Sequence, residues 1–331
     1  MLNPILKLNP KLFDADVEQK STREGYGEGL VQLGGENPNV VALTADLSES
    51  TKANKFQEKY PNRFFECGVA EQNMAAIAAG LAVNGKIPFM SSYATFSPGK
   101  NWETIRTTII YNNANVKMAG HHAGIMTGQD GATHQATEDI AITRCWPMLK
   151  VIVPCDAIEA KKATIKAASV EGPIYLRFSR DKTPVMTTAD SPFDIEKTLI
   201  FWTSDAPLAT IFSTGYMTYY ALLAAKELEQ EGIQVAVANV ATIKPLDETA
   251  ILSLIEKTKS AVTVEDHQVA GGLGGAIAEF LSKTRPTPIE FIGLQDTFAE
   301  SGSPKELIEK YGMGTKSIKE AVRKVIARKQ K

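Results

Sequence analysis

VKMAGHHAGIMTGQDGATHQATED, Val116 to Asp139, opens as an apolar strand and runs into a loop that no core would hold. Beyond His121 little aliphatic content remains. Gly124, Gly128 and Gly131 punctuate the run, three of the chain's four histidines (His121, His122, His134) fall within it, and Asp130, Glu138 and Asp139 add carboxylates. Glycine lets a ligand approach the backbone closely, and histidine is suited to proton traffic near neutrality. Composition alone leaves a polar surface loop with incidental histidines as an equal alternative, so the flanking chain has to decide.

Upstream, strand-like runs alternate with helical ones. NVVALTAD (Asn39 to Asp46) and RFFECG (Arg63 to Gly68) read as strands, the second leading into a helix that Glu71 opens and Gly85 closes. KIPFMSSYATF is a strand entering a loop, and WETIRTTIIYNN a helix. Downstream come a short helix, the strand LKVIVPC, the helix AIEAKKATIKAASV and the strand PIYLRFSR, ending at Arg180. This alternation predicts an α/β fold with a doubly wound parallel sheet over residues 21–185. Residues 1–20 read as an arm in which Pro4 and Pro10 break any helix, and a helix follows from about Arg23 to Gly34. Residues 186–206, rich in Pro, Thr, Ser and Asp, read as a linker. Residues 207–331 repeat the alternation as a second, smaller α/β unit with IKPLD as a turn.

Composition narrows the function classes. The chain has 331 residues, 44% hydrophobic and 22% charged, which is ordinary for globular proteins. Lys+Arg 36 against Asp+Glu 38 gives no basic excess for nucleic acid and no acidic excess for a disordered tail. Cys67, Cys145 and Cys155 are few, odd in number and widely spaced, which fits a reducing cytoplasm and argues against a disulfide framework or zinc site. No apolar run approaches the ~20 residues that span a bilayer, and the N-terminus lacks a signal-peptide pattern.

Two motifs are candidates for chemistry. GGLGG, Gly271 to Gly275, follows a strand and precedes a helix, the setting of a phosphate cradle. It lacks the dinucleotide and P-loop spacings, so a tight turn that packs helix on sheet is the stronger reading. GVAEQNM, Gly68 to Met74, puts the Glu71 carboxylate at a helix start on the edge where α/β sheets bind ligands. Complementing the helix dipole is its bland alternative. Tyr93 and Phe96 lie at the next strand's end, either as core or as a platform for a flat heteroaromatic ring.

GVAEQNM, PFMSSYATF, GHHAGIMTGQDGATHQATED and LRFSR together resemble the thiamine diphosphate pyrimidine-binding domain of transketolase; IKPLD and EDHQVAGGLGG resemble the family's C-terminal domain. Pyruvate dehydrogenase β subunits lack the DGATHQ pattern, and deoxyxylulose phosphate synthases match DLSES and THQ less well. Full-length transketolases carry a GDG…N metal motif in a diphosphate-binding domain, and no GDG occurs here. The resemblance therefore implies the C-terminal subunit of a split transketolase of pentose phosphate metabolism. It would transfer a two-carbon ketol group between sugar phosphates through a thiamine diphosphate adduct. An N-terminal subunit would hold the diphosphate and its divalent metal, Mg or Ca, in an α2β2 heterotetramer.

The resemblance also implies roles. Glu71 would bond N1′ of the aminopyrimidine, and Tyr93 and Phe96 would contact its ring. A third ring-contacting position falls near Gly99–Lys100, where this chain has no aromatic. Asp46 would lie near the cofactor. His122 and His134 would act on the ketose carbonyl and hydroxyls, and Asp130 on the acceptor's hydroxyl. Arg23, Ser50 and Arg180 would grip the terminal phosphate, as suits arginine's planar fork. His121 receives no role, and His267 reads as structural. The rival readings are a thiamine-dependent enzyme with another carbonyl substrate and a non-catalytic regulatory subunit. A nicotinamide dehydrogenase is more distant, because the fingerprint is missing.

Overall fold

The computed structural model describes residues 1–329; the last two residues of the expected C-terminal unit lie outside the described residues. Two sheets organise the chain. In the first the strands lie in the order Thr242–Lys244, Lys150–Ile152, Ile174–Arg177, Lys117–His121, Ile87–Tyr93, Val40–Thr44 and Phe64–Glu66. All neighbours are parallel except the first pair. Val40–Thr44 and Lys117–His121 are buried along their whole length, as strands covered on both faces must be. Tyr26, Leu30 and Leu33 of the helix Thr22–Glu36 pack on one face with Ala160 and Ala163 of the helix Ala157–Ala168. Met74, Ala75 and Ala78 of Glu71–Val83 cover the other face with Ile105 and Ile109. Each fully buried leucine here contributes roughly 1.5–3 kcal/mol of apolar transfer.

The second sheet runs Ile289–Leu294, Ala261–Gln268, Ala209–Ser213, Val235–Asn239 and Leu199–Trp202, parallel except for the last pair. Within the stretch expected as a linker, 186–206, Leu199–Trp202 supplies an edge strand of this sheet, and Met186 and Ile195 are buried. Four residues are too short a run to show a period, and the paired residues lie 35 to 40 positions on. The N-terminal arm is also more tightly built than expected. Pro4–Leu6 forms one helical turn, and Leu6, Leu8 and Leu12 are buried in the second unit's core. Gln19–Lys20 pairs with Thr183–Pro184.

IKPLD is not only a turn. Thr242–Lys244 forms the edge strand of the first sheet, so the second unit completes the first. The GGLGG loop does open the helix Leu273–Thr284, but an internal carboxylate fills it. Glu265 accepts from the Leu273 and Gly274 amides at 2.7 and 2.8 Å, and a Cβ at Gly272 would lie 2.0 Å from its Oε2. That occupancy leaves the loop's amides no phosphate to hold. Among the described residues, no helix is long and apolar enough to cross a membrane.

Candidate active site

Parallel register delivers the sequence-predicted residues to one sheet edge. Tyr93 pairs with His121 at the ends of adjacent strands, and the Ala94 N–H donates to the His121 carbonyl at 2.7 Å. The aromatic loop and the histidine loop therefore leave the sheet side by side. The Tyr93 and Phe96 rings lie 5.8 Å apart and 16° from parallel. His122 stacks on Tyr93 at 3.8 Å, and His134 stands edge-on to Tyr93 and Phe96 at 6.0 and 5.6 Å. Four rings thus form one wall, half-buried apart from the buried His122.

Glu71 is the first residue of its helix, where the dipole favours a carboxylate. Its side chain is only 2% exposed, and Lys100 Nζ donates to Oε2 at 3.0 Å. Asn101 Nδ2 bonds the Glu71 carbonyl at 2.9 Å. Lys100 and Asn101 were not predicted as site residues. The one sequence signal was the missing aromatic near Gly99, and it gave no hint of an ion pair.

Arg23 and Arg180 form the cationic end. The Arg23 guanidinium donates to the Ser50 backbone carbonyl at 2.8 Å, while its Nε is buried without a partner. Ser50 thus enters through its carbonyl oxygen here. Arg180 donates to the Thr127 carbonyl at 2.9 Å and approaches Asp130 at 3.9 Å. The Thr22 hydroxyl and the Ser179 amide bond at 2.8 Å, which sets the start of one helix against the strand end carrying Arg180. Burial and the Arg180 charge lower the Arg23 pKa. Burial and the charges of Arg23, Arg180 and His134 push His122 down to about 3, so its ring is neutral at pH 7. Two like charges with an unsatisfied N–H favour a bound anion.

Asp46 is exposed, with φ of 60°, at the end of Val40–Thr44. Its N–H and that of Gly68 both donate to Glu66 Oε1 at 2.8 Å. Glu66, another residue the sequence did not flag, ties two loops of the edge together.

His121 and Asp139 pack into the frame behind this wall. His121 is fully buried between Tyr26 and Phe178, its two ring nitrogens without partners, and burial pushes its pKa well down. Asp139 accepts from Arg177 at 2.8 Å and from the Tyr175 hydroxyl at 2.6 Å. Glu138 accepts from the Thr137 amide at 2.8 Å. His267 is buried, accepts from the Ala141 amide at 3.3 Å, and is lowered by burial to about 4. Gln135 Nε2 reaches the Glu300 carbonyl at 3.2 Å, and the Gln268 amide donates to the Thr137 carbonyl at 2.7 Å. The second unit thereby grips the site loop at several points.

A buried carboxylate at a helix start, beside two near-parallel and half-exposed aromatic faces, suits a flat aminopyrimidine. Buried atoms without partners, Asn101 Oδ1 and His122 Nδ1, lie on the same loops. The residues therefore fit the pyrimidine end of thiamine diphosphate. Among the described residues, no group of three or more His, Cys, Asp or Glu is placed to hold a metal ion.

Comparison with known proteins places the fold in one family. The family model described as transketolase, pyrimidine binding domain, matches residues 18–186, and that described as transketolase, C-terminal domain, matches residues 203–318. A chain named as a transketolase C-terminal section, from Methanocaldococcus jannaschii, is 44% identical over 303 residues, covering 90% of this chain and 94% of that one. The 6-deoxy-6-sulfo-D-fructose transketolase subunit SqwH of Clostridium sp. strain MSTE9 is 36% identical over 317 residues, covering 96% and 98%. A split gene transketolase solved as an inactive β4 tetramer superposes with a TM-score of 0.87 at 44% identity, covering 93% of this chain and 99% of that one.

Proposed function

This chain belongs to the transketolase family, whose members depend on thiamine diphosphate, and on that premise we propose that it is the C-terminal subunit of a two-chain transketolase. It moves a two-carbon ketol group from a ketose phosphate to an aldose phosphate. The observation that carries this reading is the convergence at one sheet edge of the buried Glu71, the Tyr93 and Phe96 rings, His122 and His134, and the Arg23–Arg180 pair.

When bound, thiamine diphosphate supplies the carbanion chemistry. The chain's own residues do the rest. Glu71 holds the pyrimidine nitrogen N1′ and exchanges a proton there. Tyr93 and Phe96 offer their faces to the ring, and Asp46 flanks it. His122, kept neutral by its surroundings, and His134 hydrogen-bond the ketose carbonyl and hydroxyls and move protons as the carbon–carbon bond breaks. Asp130 reads the acceptor's hydroxyl. Arg23 and Arg180 hold the terminal phosphate, with the Ser50 hydroxyl as a further donor while its carbonyl steadies Arg23. An N-terminal partner subunit carries the diphosphate and its Mg or Ca, so the chain works within an α2β2 heterotetramer in the cytoplasm. The helix Glu71–Val83, which starts at the site, leaves Asn73, Ala76, Gly80 and Val83 exposed along its length, a surface suited to that partner.

A second reading keeps the chemistry and changes the sugar. The SqwH relative is named for a sulfonated fructose, and a sulfonate, an anion with three acceptor oxygens, is also a partner for an arginine pair. The test is to purify the chain with an N-terminal transketolase subunit and assay cofactor-dependent ketol transfer from phosphorylated and sulfonated donors. Activity that needs both chains, with Glu71→Ala below about a hundredth of it, supports the proposal. Near wild-type activity in Glu71→Ala removes Glu71 from the mechanism. Turnover of the sulfonated donor alone selects the second reading.

A further inference from the structure

The ion pair between Lys100 and Glu71 has no part in the scheme above. Its partners are unequal: the Glu71 side chain is 2% exposed and that of Lys100 49%. A carboxylate buried to that degree is costly without a compensating charge. Lys100 supplies one, through an ammonium on a flexible stem that reaches in from solvent. Its hydrogen bond goes to Oε2, the same carboxyl group that would meet the pyrimidine. The helical turn Thr95–Lys100 that carries Lys100 also carries Phe96, one of the ring platforms. Nothing else grips the ammonium tightly: among the described residues its salt bridge is to Glu71 alone.

We propose that Lys100 is a displaceable occupant of the pyrimidine subsite, neutralising Glu71 until cofactor arrives and then swinging into solvent. The inference rests on the reading of Glu71 as the pyrimidine ligand. It makes Lys100 a positioning residue: it keeps the carboxylate buried and oriented in the cofactor-free chain, at the expense of cofactor affinity. A half-exposed lysine is the suitable group for this, because an exposed ammonium regains its hydration when it leaves.

The experiment titrates thiamine diphosphate with excess Mg²⁺ into the two-subunit assembly by calorimetry, at low and high salt. Lys100→Met is expected to lower the cofactor Kd about 3- to 10-fold, since the cofactor no longer competes with an internal cation. Lys100→Arg returns the Kd toward wild type. The gap between wild type and Lys100→Met narrows at high salt, because the pair opens to solvent on one side. In a Glu71→Gln background Lys100→Met changes nothing further, which identifies the coupling as pairwise. Equal or weaker binding by Lys100→Met, with Glu71→Gln impaired, overturns the displacement. Wild-type binding by Glu71→Gln instead overturns the assignment of Glu71 itself, so the two failures are distinct.

Discussion

The Asp266 carboxylate, on the second sheet, accepts the Ile125 amide at 2.9 Å, one turn beyond the His122 that stacks on Tyr93. Its other oxygen takes the Tyr216 hydroxyl at 2.7 Å. The linkage continues within the loop: the Thr127 hydroxyl donates to the His122 carbonyl at 2.6 Å, and the Thr127 carbonyl accepts from Arg180. A residue 141 positions along the chain from Ile125 therefore fixes the path between a histidine and an arginine of the candidate site.

Gly124 is where that path is tightest. Its φ is 79°, and a Cβ there would lie 1.9 Å from Asp266 Oδ2. Gly124→Ala should destabilise the chain by more than about 2 kcal/mol and lower the unfolding midpoint by about 5 °C or more. In the reconstituted enzyme kcat/KM falls as well, since His122 shifts. A thermal scan with steady-state kinetics checks both, and an unchanged midpoint would contradict the contact.

Arg180→Ala removes one of two neighbouring cations. The KM for sugar phosphate should rise about 10-fold or more, from the lost charge-assisted hydrogen bonds, with a smaller change in kcat. The His122 pKa should move upward from about 3, because a nearby positive charge no longer opposes protonation. Kinetics and an NMR titration of the imidazole read the two effects separately.

Arg177 and Asp139 are 5% and 1% exposed and joined at 2.8 Å. Arg177 also donates to the carbonyls of Ala136 and Asp266, so it ties the site loop to the second unit. Arg177→Met should cost about 3–5 kcal/mol by stranding the Asp139 carboxylate. Adding Asp139→Leu should recover part of that loss. Denaturant midpoints of the two single variants and the double variant decide it; a double variant no better than the singles counts against a stranded charge.

Burial raises Glu265 from 4.5 to about 7, although two amides donate to it. Between those values the folded chain binds more protons than the unfolded one, so stability from this group is complete below pH 4.5 and is lost as pH rises through about 7. The total loss is on the order of 3 kcal/mol. Glu265→Gln, which cannot ionise, should flatten the fall in unfolding free energy between pH 5 and 8. Parallel slopes for variant and wild type would place the titration elsewhere.

The amino-acid order alone determined the layers and the place of the candidate site. Strand and helix periods are local, so the parallel α/β reading, the helix opening at Glu71 and the three-residue step from Tyr93 to Phe96 could be read along the chain. Their positions at strand ends follow from the same local signals. What the order could not state was which distant groups meet. The edge strand Leu199–Trp202 is defined by its pairing with Val235–Asn239, and the buried arm by a core built from the other end of the chain. Lys100 finds Glu71 across 29 positions, and Asp266 finds Ile125 across 141. Such contacts leave no periodic trace, because an ion pair or a single amide bond depends on where two backbones pass in space. The stretch from Val116 to Asp139 shows both sides. Its histidines and glycines marked a site, and the tertiary structure sorted them, leaving His122 and His134 at the aromatic wall and locking His121 and Asp139 into the frame behind it.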